Sequence, residues 1–174
     1  MPSNRDLVRL LAARFGTYNA ARNLWQGAGG DPGELHDQDN SLDRWTDLVG
    51  KADDGAIVRV NLTLAALERL PRNETLLADL RAQLPEGLRQ QVGMVLQEVT
   101  ALPGIQAERA EELLAPVLAR PEGQAALIVE ADKADKAKSG WLESAQTVLT
   151  NVGTQATTLG FTLLTRYLTG ETQN

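Results

Sequence analysis

The chain has 174 residues, 43% of them hydrophobic but only 4% aromatic, so a core must come from leucine, valine and alanine, the residues that pack helix faces. The formal net charge is −6, the sequence pI is about 4.8, and there is no Lys/Arg-rich block, which argues against nucleic acid as a partner. With no cysteine there are no disulfides and no thiolate metal sites. That composition fits a reducing compartment and a cytoplasmic protein.

Arg5, Asp6, Arg9 and Arg14 interrupt the N-terminal stretch, so it reads as the first helix of the fold and not as a signal peptide. Leu7, Leu10, Leu11 and Phe15 recur at helical spacing behind an Asn4 or Ser3 cap, and Gly16 closes the segment. A short helix over Tyr18 to Gln26 follows and stops at Gly27-Ala28-Gly29-Gly30, where a positive φ costs little. Asp31-Pro32-Gly33-Glu34-Leu35 permits a turn, and the polar run His36 to Asn40 is expected in an exposed loop.

Ser41 is placed as the cap of a helix reaching about Ala52, with Leu42, Trp45, Leu48 and Val49 on one stripe and Asp43, Arg44 and Asp47 opposite. Ile57 to Val60 is β-branched enough to begin as a strand, but Leu64, Leu67 and the terminating Pro71 argue for helix. Asn73 caps a further helix with Leu76, Leu77 and Leu80 inward and a stop at Pro85. Beyond it lie longer helical segments, Glu86 to Leu102, Ala107 to Arg120, Gly123 to Lys138 and Trp141 to Thr169, bounded by proline or glycine. The expected fold is all-α: a helical bundle over residues 1–84 and a second helical module over residues 85–174.

Little in the chain points to chemistry. His36 is the only histidine, so histidine-pair metal sites are excluded and a serine–histidine pair would rest on one loop residue. The glycines at 27, 29 and 30 follow a helix and lack the Gly-Lys-Ser/Thr of a phosphate loop; a helix stop is the simpler reading. Asp31, Glu34, Asp37 and Asp39 lack the ordered ligands and closing glutamate of a calcium loop. Trp25 and Trp45 lie on apolar stripes and read as core anchors, and the run Asp132 to Lys138 reads as a solvated helix face. No catalytic residue, metal site or cofactor is expected, and the chain does not read as an enzyme.

The terminal segment stands apart, because Ser144 to Thr165 carries no charge over about 22 residues, roughly 33 Å as a helix. Its many threonines and amides would need partners in lipid, which argues against a constitutive membrane span. Val148, Val152, Ala156, Leu159, Leu163 and Tyr167 form one seam behind Trp141, suited to core packing or self-association; a membrane is expected as a partner only after activation.

Read in order, Leu7-Val8-Arg9-Leu10-Leu11-Ala12-Ala13-Arg14-Phe15, Ala20-Ala21-Arg22-Asn23-Leu24-Trp25 and Ser41-Leu42-Asp43-Arg44-Trp45-Thr46-Asp47-Leu48-Val49, with Leu64 to Leu76 behind them, resemble the bacterial effector-associated domains of the death-like type, the first family of that name. Gly16 departs from that pattern, standing where the family has proline after the aromatic residue. The resemblance covers about residues 3–84. It implies a death-like helical bundle that binds another such domain, an adaptor in bacterial conflict or immunity signalling. Arg22, Asp37, Asp39, Asp43, Arg44 and Asp47 are the candidate contacts, since alternating charge supplies specificity. The alternative is a membrane-perturbing effector acting, once assembled, through the terminal amphipathic segment.

Overall fold

The computed structural model describes residues 4–37, 40–100 and 107–136. Among them lie eight α-helices, one 3-10 turn and no strand, so the all-α class is the observed one. The β-branched start at Ile57 does not begin a strand, because Val60 already belongs to a helix whose leucines continue the same buried surface. The chain divides into two compact units between Ala82 and Gln83.

The first unit contains α1 (Asn4–Arg14), α2 (Tyr18–Gly27), a 3-10 turn (Pro32–Glu34), α3 (Ser41–Asp53), α4 (Arg59–Arg69) and α5 (Glu74–Gln83). α1 packs along α3, and α2 and α3 both pack on α4. Local caps fix the helix starts. Thr17 accepts a hydrogen bond from the Ala20 amide at 3.2 Å, and Asn73 accepts one from the Leu76 amide at 3.2 Å. The cap of α3 is Asn40, one residue before the expected Ser41, with its side chain accepting from the Leu42 amide at 2.9 Å. Asn4 is not a cap either: it is the first residue of α1, and its amide donates to Asp53 at 2.9 Å.

α4 is the hub of this unit. Val60, Leu62, Thr63, Leu64, Ala65, Ala66 and Leu67 are all buried, so the middle of the helix is enclosed on every side, while Arg69 at its end is exposed. Leu7, Leu11, Leu48, Leu76, Leu77 and Leu80, with the rings of Trp25 and Trp45, complete the core. Each such leucine contributes about 1.5–3 kcal/mol of transfer free energy, so apolar burial is what holds the helices together.

A polar cluster is set into this core. The Arg59 guanidinium donates to both carboxylate oxygens of Asp79, at 3.1 and 3.3 Å, to the Thr63 hydroxyl at 3.0 Å and to Asp53 at 2.9 Å. Thr63, itself fully buried, donates to Asp79 at 2.6 Å. Each charge is therefore met by opposite charge and by hydrogen bonds, the condition under which a buried ion pair is tolerated. The cluster joins the end of α3 to α4 and α5, and through Asp53 it reaches Asn4 on α1.

The glycine stop after α2 has a specific geometry. Gly29 adopts φ +93°, and the α-carbon of Gly30 lies so close to Trp25 that an added Cβ would fall 2.2 Å from the indole nitrogen. That nitrogen donates to the Asp31 carbonyl at 3.1 Å, so the ring has no freedom to retreat. Gly30→Ala should destabilise the unit by about 2 kcal/mol, the usual scale for overpacking a filled core. Urea denaturation checks this, and an unchanged midpoint would show that the ring yields.

The second unit contains α6 (Glu86–Thr100), α7 (Ala107–Leu118) and α8 (Pro121–Lys136), which pack pairwise. α8 starts at Pro121, two residues before the expected Gly123, because proline suits the first helical position, where its missing N–H is not needed. Gln124 to Val129 are buried without interruption, and Val92, Leu96 and Leu114 contribute from α6 and α7. The run beginning at Asp132 is not a purely solvated face: Asp132 is only 3% exposed, with Ala131 buried beside it, whereas Lys133 is exposed.

Candidate interaction surface

α1 ends with carbonyls that have no partner inside the helix, and α3 supplies donors to them from two consecutive residues. The Trp45 indole donates to the Phe15 carbonyl at 2.9 Å, and the Arg44 guanidinium donates to the Gly16 carbonyl at 2.8 Å. The Phe15 and Trp45 rings meet edge to face, with centroids 6.5 Å apart. Arg44 also lies over the Tyr18 ring, 5.8 Å from its centroid. These contacts correct the expectation for Arg44. It is 6% exposed and ties α1, α2 and α3 together, so it is not a surface contact.

The other described charged candidates are spread over α2, the loop after the 3-10 turn and α3. Arg22 is exposed on α2, Asp37 in the loop and Asp43 on the first turn of α3; among the described residues none of the three pairs with another side chain. Asp47 is half-buried and pairs with Lys51 one turn on, at 2.9 Å, while the same lysine reaches the Glu34 carbonyl at 2.7 Å. His36 is exposed in the loop as expected, whereas Asp39 lies outside the described residues. So do Trp141, Val148, Val152, Leu159, Leu163 and Tyr167, the candidates for self-association or membrane contact.

The charge pattern gave no sign of a groove of about 320 Å³ lined by Phe15, Ala20, Asn23, Leu24, Gly27, Ala65, Glu68 and Arg69. Its α2 members follow helical spacing along one face. Leu24 and Ala65 form a buried floor, Phe15 is half-buried, and Arg69 is exposed at the rim. The sequence signal, small residues at positions 20 and 27 of an otherwise packed helix, is visible only once α4 is known to lie opposite.

Among the described residues no group of acidic or histidine side chains is placed to hold a metal ion, and no helix is long and apolar enough to cross a membrane. No family model, curated protein or solved structure matches the chain. The geometry by itself defines an all-α protein of two helical units, with buried charge inside the first and, among the described residues, charge on its surface that pairs with no other side chain.

Proposed function

We propose that the first unit is a death-like interaction domain and that the protein is an adaptor joining copies of such domains in bacterial conflict signalling. The observation that carries this reading is the set of spare charges. Arg22 on α2, Asp37 in the loop and Asp43 on α3 are exposed, of both signs, and without side-chain partners among the described residues. Charges of that kind are free to pair across an interface, where they set partner and register more than affinity. The resemblance of residues 3–84 to the effector-associated domains supports the same reading, and no residue is assigned a catalytic role.

Co-expression of two differently tagged full-length copies tests it. The copies should purify together, and reversing the charge of Arg22 or Asp43 should weaken the association. Recovery of each tag alone would remove self-association from the proposal.

A further inference from the structure

Leu42 is 44% exposed on the first turn of α3, although leucine is the residue this chain otherwise uses to fill its cores. Its turn is anchored by hydrogen bonds: the Asn40 side chain accepts from the Leu42 amide, and Arg44 and Trp45, two and three residues on, donate to the Gly16 and Phe15 carbonyls just past α1. The unpaired carboxylate of Asp43 stands beside it. The groove between α2 and α4 has the complementary chemistry: Phe15, Leu24 and Ala65 are its apolar lining, Arg69 is exposed, and the half-buried Glu68 beside it already has an interaction of its own. Among the described residues Arg69 has no ion pair or hydrogen bond from its side chain.

We propose that Leu42 of one copy seats in the α2–α4 groove of a second copy, with Asp43 of the first opposite Arg69 of the second. The inference rests on the self-association proposed above and specifies its surface. Apolar insertion supplies the attraction, and the single charge pair at the rim fixes which way the leucine enters. The occupant is a second copy of this chain because the knob with its acidic neighbour and the groove with its exposed Arg69 are both carried by the same unit.

Sedimentation velocity on the full chain tests the contact, with circular dichroism confirming that each variant is folded. Leu42→Asp and Arg69→Glu should each weaken self-association about tenfold or more, the scale of an interface anchor. Asp43→Arg alone should also weaken it, whereas the double variant Asp43→Arg/Arg69→Glu should recover assembly through the inverted pair. Wild-type association left intact by all three substitutions overturns this surface while leaving self-association standing. Failure of the double variant to recover overturns the Asp43–Arg69 pairing, and a wild-type chain that stays monomeric overturns the surface and self-association together.

Discussion

Asp79→Ala is expected to destabilise the first unit by about 3 kcal/mol, toward the lower end of what breaking a buried ion pair costs. The substitution leaves the Arg59 guanidinium, whose side chain is 15% exposed, without its bidentate partner, and removes the carboxylate to which the buried Thr63 hydroxyl donates. Arg59 still keeps Asp53, which is why the loss stays near the low end. In a unit of this size each kcal/mol moves the midpoint by about 4–8 °C, so thermal denaturation should show a fall of roughly 12 °C or more. Replacing Arg59, Thr63 and Asp79 together by Met, Val and Leu should cost much less, because no charge is then left buried and unpaired. A single Asp79→Ala variant within about 0.5 kcal/mol of the wild type would mean that the cluster is solvated and contributes little.

Trp45→Ala should cost about 4 kcal/mol, the scale for emptying a site filled by a large buried ring. Trp45 is fully buried, meets Phe15 edge to face and satisfies the Phe15 carbonyl. Trp45→Phe separates the two contributions: most of the packing survives, the indole donor is lost, and the expected cost is about 1–2 kcal/mol. Asp43→Ala, on the exposed side of the same helix, should stay within about 0.5 kcal/mol in the same denaturation series. If alanine and phenylalanine at position 45 were equally mild, Trp45 would not be the anchor that its burial indicates.

The two substitutions also mark where sequence reasoning reaches and where it stops. The leucine spacings of α1, α3 and α5, the Pro71 stop and the Asn73 cap are local signals, and each produced a helix within a residue or two of its observed bounds. Trp25 and Trp45 were legible as anchors for the same reason, since both sit on apolar stripes. Charged side chains were not. Arg44 and Asp132 looked solvent-facing because such residues are seldom buried without partners. Arg44 has its partner 28 residues away, on a carbonyl no pattern identifies. Asp79 stands among Leu76, Leu77 and Leu80 on α5, a carboxylate on an apolar face that was itself a hint of a buried pair, yet its partners lie 16 and 20 residues back. The groove draws on α1, α2 and α4 at once, so no single stretch of sequence contains its signal.

Self-association through the first unit is tested most directly by the molar mass of the intact wild-type chain, followed by size-exclusion chromatography with light scattering over a concentration series. The chain mass is 18.8 kDa, and the adaptor reading predicts that the measured mass rises with concentration to at least twice that value. A mass fixed at 18.8 kDa at every concentration would contradict it.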